Sequence, residues 1–144
     1  MQSFDKLKPL GLLVLRLALG ASFMVYGYQK LSEPARAMKS FIGYGFPGYL
    51  AYFSGTLELF GGGLLIVGLF TRGAALLLAI EMGIVLARVK LPAFGIYKLE
   101  QYDLPLLLGA AAVALMTTGA GAISLDAFTF ESGKMAPKKS KGKN

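Results

Sequence analysis

The sequence predicts an all-α integral membrane protein whose chain crosses the bilayer four times as a transmembrane four-helix bundle. Three observations carry this. Of 144 residues, 55% are hydrophobic and 16% are charged, and the mean hydropathy of +0.58 is high for a soluble domain. The apolar residues fall into four runs close to the length a helix needs to cross a bilayer, not into the shorter alternating segments of a membrane barrel. The charges collect at the ends of these runs and in a terminal tail.

The first span covers about 10–28 and follows Lys6, Lys8 and Pro9. Its basic start and apolar middle resemble a secretory signal. The run is longer than a signal's apolar core, contains Arg16 and lacks an A-x-A site at its end, so a retained span is expected. Residues 32–48 form a connector. Pro34 suits a helix start, Ala37, Phe41 and Ile42 share one face, and Phe46-Pro47-Gly48 breaks the helix. This piece is expected to lie in the membrane interface with Arg36 and Lys39 towards the headgroups.

The second span covers about 49–69 and ends in the tight turn Phe70-Thr71-Arg72-Gly73. The third covers about 73–89, closed by Arg88, Lys90 and Pro92. A second connector, 90–102, carries Tyr97 and Tyr102. The fourth covers about 103–118. Pro105 lies in its first turn, where a missing N–H costs nothing, and Gly119-Ala120-Gly121 stops it. The membrane domain is thus 1–128. Residues 129–144 form a basic tail expected to be disordered.

Composition excludes several chemistries. The chain has no cysteine, histidine or tryptophan, which removes thiol, histidine-base and the usual metal-ligand chemistry. No metal site and no cofactor motif is visible. The net charge of +7 owes much to Lys134, Lys138, Lys139, Lys141 and Lys143, and favours lipid headgroups over nucleic acid as partner. Four crossings put both termini on one side. With Lys6, Lys8, Arg72 and the tail lysines there, that side is expected to be the cytoplasm.

The spans are not wholly apolar. Ionisable groups inside a membrane are costly and normally face the bundle interior. Helical rise places Arg16, Glu58 and Glu81 in one inner layer, and Arg88 and Asp103 in an outer one. Glu81 and Arg88 share a face, as do Ser54, Glu58 and Gly62. The bland reading is that Arg16 pairs with Glu58 or Glu81 and pins helix register. The sharper reading starts from two carboxylates facing one arginine: one carboxylate holds a proton, which suits a proton relay or a bound polar head such as a quinone carbonyl. Gly61-Gly62-Gly63 is read as a helix-packing element, because no Lys-Ser/Thr follows it. Tyr26 and Lys30 end the first span, as interfacial anchors or as the mouth of a pocket.

Taken together, these residues resemble the DoxX family of small bacterial membrane proteins. Leu15-Arg16-Leu17, Gly20 and Tyr26-Gly27-Tyr28-Gln29-Lys30-Leu31 are similar to the family's arginine-bearing first helix and its His-Gly-x-x-Lys-Leu-like end. Gly45-Phe46-Pro47, Glu58-Leu59-Phe60-Gly61-Gly62 and Gly68-Leu69-Phe70-Thr71-Arg72 resemble its glutamate, paired glycines and Gly-Leu-x-Thr-Arg turn. Asp103, Gly119-Ala120-Gly121 and Ser124-Leu125-Asp126 resemble its acidic start and Ser-Leu-Asp finish. The resemblance covers about 9–128. Tyr26 stands where the family often has histidine, Asp103 replaces a usual glutamate, and Glu81 has no counterpart in the pattern.

The resemblance implies a four-helix inner-membrane protein. Some relatives are linked to thiosulfate oxidation with electrons passed to quinone, and others to complexes that gather soluble oxidative-stress enzymes. The expected function is a redox-associated subunit binding quinone or a small polar ligand through Arg16, Glu58, Glu81, Tyr26 and Lys30. The alternative is a scaffold without chemistry of its own that recruits soluble redox enzymes. A small transporter ranks last, because no pair of discontinuous helices is visible. The lipid bilayer is the first partner, soluble redox enzymes the second, and a further copy of the chain a third candidate.

Overall fold

A computed structural model of the chain describes residues 2–131, and all regular structure among them is helical. The helices are α1 (Gln2–Asp5), α2 (Lys8–Ser32), α3 (Pro34–Gly43), α4 (Leu50–Val67), α5 (Thr71–Val85), α6 (Leu91–Phe94), α7 (Asp103–Thr118) and α8 (Leu125–Glu131). A π turn, Leu86–Lys90, carries α5 into α6, and a 3-10 turn, Leu99–Gln101, precedes α7. Of the tail expected over 129–144, residues 129–131 finish α8, and the rest lies outside the described residues.

Local chemistry sets most boundaries. Pro9 lies in the first turn of α2, where its fixed φ suits the helix. The helix runs past the expected residue 28 to Ser32 and stops because Glu33 precedes Pro34, which disfavours helical backbone at Glu33. Pro34 then opens α3, so the expected connector helix is present. Gly68 closes α4 with φ 72°, a left-handed cap that glycine adopts without strain. The fourth span coincides with α7.

The third span differs most. Its helix begins at Thr71 and continues through the π turn beyond Pro92. Proline inside an α-helix removes a backbone bond and crowds the preceding turn. The wider π turn accommodates this, with Leu91 N–H donating to Leu86 O, five residues back.

Helix α2 packs most extensively on α4, and α5 on α7; contacts between α4 and α5 and between α2 and α7 close the bundle. Small residues permit the α2–α4 approach. A methyl built on Gly20 would lie 2.6 Å from Gly62 O, and one on Gly27 2.6 Å from Gly55 O, so neither position has room for a side chain. Gly62 packs against Gly20 and Met24, while Gly63 faces open space. The glycine triplet therefore packs helices, and Gly61 and Gly62 perform that task.

Leu19, Phe23, Leu65, Ala75, Leu78, Ala112 and Leu115 form the centre of the core. The outside is also apolar: Val14, Phe53, Phe60, Ile80, Leu107 and Val113 are all exposed. Helices α2 and α4 are each long and apolar enough to cross a membrane, and only 28% and 39% of their apolar windows are buried. A core helix of a soluble protein would hide most of that surface.

Candidate functional site

Helices α2, α4 and α5 each bring one ionisable side chain to a single point inside the bundle. Lys30 Nζ lies 2.8 Å from Glu58 Oε2 and 3.9 Å from Glu81 Oε1. It also donates a 2.7 Å hydrogen bond to Ser54 Oγ, and the Ser54 hydroxyl donates in turn to Glu81 Oε1. The Glu58 side chain is only 3% exposed and that of Glu81 12%. Among the described residues Glu81 Oε2 has no hydrogen-bond partner.

The assembly follows from spacing. Ser54, Glu58 and Gly62 are one helical repeat apart and all face inward. Glu58 and Glu81 lie at similar distances from the turn that joins α4 to α5, so they reach the same depth. Phe41 of α3 covers the cluster, its ring centroid 5.7 Å from Lys30 Nζ.

Two cavities meet at Lys30. One, of about 460 Å³, is lined by Phe46, Phe53, Leu57, Leu77, Ile80 and Ile84 among others, with Lys30, Ser54 and Glu81 in its wall. Phe53, Leu77, Ile80 and Ile84 are also exposed on the outer surface, so this cavity opens sideways between α4 and α5. The second, of about 470 Å³, lies between the end of α2 and α3. Tyr26, Gln29, Lys30, Arg36, Ser40 and Tyr44 are among its lining residues. Tyr26 and Lys30 thus do share a pocket.

Arg16 does not join this cluster, which corrects the expected inner layer. Its Nε donates to Leu65 O at 2.9 Å, Nη1 to Ala120 O and Ile123 O at 2.8 and 2.6 Å, and Nη2 to Ile66 O at 3.1 Å. The reason is geometric. Helices α2 and α4 are antiparallel with Gly20 opposite Gly62, which sets Arg16 level with the end of α4. Side chains also lean towards the N-terminus of their own helix. That lean carries Arg16 away from Glu58 and Lys30 towards it. Along α2 the two cations are about 21 Å apart. The imbalance of two carboxylates to one cation survives, with Lys30 as the cation.

The expected outer layer does not form either. Arg88 and Asp103 are both exposed, and no ion pair joins them among the described residues. Asp103 Oδ1 instead accepts from Leu104 N–H at 2.6 Å, at the positive end of its own helix. The π turn winds Arg88 off the face it would share with Glu81 on a straight α-helix.

Two residues gain roles that spacing alone did not assign. Ser54 was placed on the Glu58 face by its spacing, yet nothing in sequence marks its hydroxyl as the bridge between Lys30 and Glu81. Asp126 accepts from Phe70 N–H at 2.7 Å and Thr71 N–H at 2.9 Å, capping the start of α5, and its own N–H donates to Gly68 O at 2.8 Å. The cap holds Phe70 at φ 48°, a conformation that is unfavourable for a bulky residue.

The fold and this cluster define a class: small helical-bundle proteins with an apolar exterior and an ionic group inside. The chain belongs to the DoxX family, whose model matches residues 11–90. It is similar to a protein of Bacillus subtilis (strain 168) named "Putative oxidoreductase CatD", at 33% identity over 132 residues, 90% of this chain and 95% of that one. No solved structure matches the chain.

Proposed function

We propose that this is a redox-associated, multi-pass protein of the bacterial inner membrane that holds a quinone, or a similar polar head on an apolar tail, at Lys30, Ser54 and Glu81. The observation that carries the reading is the lateral apolar cavity of about 460 Å³ with these three polar groups in its wall. The oxidoreductase name of the Bacillus subtilis relative supports a redox setting.

The residues fit such a ligand. A quinone head is flat and apolar on both faces, and its oxygens only accept hydrogen bonds. Lys30 supplies a charged donor. Glu81 Oε2, buried and without a hydrogen-bond partner among the described residues, is free to pass or take a proton at the ligand. Phe53, Leu77 and Ile80 lie where the tail would leave towards lipid. A bound quinone would supply the capacity to take up electrons and protons. The chain's part is to bind the head, exclude bulk water and hold a proton at Glu81.

In this reading α2 and α4 are the first two spans, α5 with its π turn the third and α7 the fourth. Both termini then share a side with Lys6, Lys8 and Arg72, which assigns them to the cytoplasm.

Ligand binding to the native state raises the unfolding temperature, by about 2.7 kcal/mol of stabilisation at a hundredfold excess over Kd. A short-chain quinone added to the purified protein is expected to raise its unfolding temperature in a saturable way, and to leave Lys30→Met unmoved. Equal shifts in both proteins would place the quinone elsewhere.

A further inference from the structure

We infer that the polar pocket between α2 and α3 is a one-sided water route, through which the buried carboxylates of the Lys30 cluster exchange protons with the aqueous phase on the α3 side. This rests on reading the helices as membrane spans. It does not depend on which ligand fills the apolar cavity.

The pocket has the size and chemistry for water. Its volume is about 470 Å³, far above the ~10–15 Å³ that one water needs. Tyr26, Gln29, Arg36, Ser40 and Tyr44 offer donors and acceptors along its wall. Lys30 lines both cavities, and its side chain is 25% exposed, so its ammonium stands between the wet side and the dry one. The Lys30–Ser54–Glu81 chain of hydrogen bonds begins at that boundary.

Other directions are closed to water. Towards the far end of the bundle, Phe23, Leu65 and Leu78 are fully buried and Met82 is 5% exposed. The lateral opening is walled by Phe53, Leu77 and Ile80, a path to lipid. The charged groups facing the cluster come from few elements: Lys30 from α2, Glu58 and Glu81 from α4 and α5, Glu33 and Arg36 in the polar pocket, and Lys90 at the rim of the apolar cavity. Helix α7 has no ionisable residue besides exposed Asp103. In the exchange, the O–H bond of a Glu81 carboxyl breaks and water takes the proton, leaving a carboxylate beside Lys30. Uptake is the reverse.

The absence of cysteine makes a direct test clean. Single-cysteine variants Ser40→Cys in the pocket, Ser54→Cys at the cluster and Phe60→Cys on the exposed face of α4 are placed in sealed vesicles of known orientation. They are treated with a small, charged, membrane-impermeant methanethiosulfonate. Ser40→Cys and Ser54→Cys are expected to react from the outer face only, Ser54→Cys more slowly, and Phe60→Cys from neither face. The route is overturned if Ser40→Cys reacts and Ser54→Cys does not, or if Ser54→Cys reacts from the opposite face. Reaction of Phe60→Cys with the reagent would instead overturn the membrane-span reading. If Ser54→Cys does not fold, Glu81→Cys, at the same cluster, is judged by the same outcomes.

Discussion

Lys30→Met is expected to destabilise the protein by about 3–5 kcal/mol, the usual cost of stripping the partner from a buried charge. Against a total stability of ~5–15 kcal/mol, this is one of the two largest single-residue effects expected inside the bundle. The variant keeps an unbranched stem of similar size, so packing changes little. What it removes is the only cation within 4 Å of Glu58 and Glu81 among the described residues. The cause is separable by a second substitution. Lys30→Met combined with Glu58→Gln leaves one carboxylate fewer without a partner. It is expected to recover part of the loss, with a coupling energy in the range of ~1–3 kcal/mol typical of directly contacting groups. The penalty also shrinks in acid, because a protonated carboxyl carries no charge to compensate. Equilibrium unfolding in micelles checks all three. Additive effects of the two substitutions would mean that the ion pair does not hold the cluster together.

Arg16→Leu is expected to cost a similar amount, about 3–5 kcal/mol, by another route. Arg16 is 2% exposed, and its guanidinium donates to four carbonyls on two separate segments, the end of α4 and the stretch 120–123. Hydrogen bonds to a charged group contribute roughly 1.5–3 kcal/mol each, though not additively. Leucine would leave those carbonyls unsatisfied in an interior closed to water. The loss should be local first, with hydrogen exchange rising at Phe70, Thr71 and Asp126, where the same segment docks. Arg16→Lys is expected to recover only part of it, since one compact ammonium cannot match a fork that spans both segments. Protection unchanged at those amides in Arg16→Leu would remove the latch role.

These two residues also show what was legible in sequence. The apolar runs, the proline and glycine punctuation and the spacing of Ser54, Glu58 and Gly62 located the long helices and their inward faces, because each is a local signal. Sequence places Arg16 inside the bundle but does not give its partner. Depth counted along one helix says nothing of the stagger between helices, and a charge count does not show that backbone carbonyls can satisfy an arginine. Because Lys30 ends an apolar run, sequence leaves it as an interfacial anchor or as the mouth of a pocket. Only the inward lean of its side chain, and the way α3 folds over it, make it the counter-ion of Glu58. The π turn at Leu86–Lys90 has the trace of Pro92 in sequence, yet the extra helix beyond it does not.

Native mass spectrometry of the protein extracted in mild detergent tests the central claim most directly, because it weighs whatever the cavity holds. The account predicts one quinone-mass adduct per chain, retained in Arg16→Lys and absent from Lys30→Met. A bare wild-type chain, or an adduct that survives Lys30→Met, would contradict it.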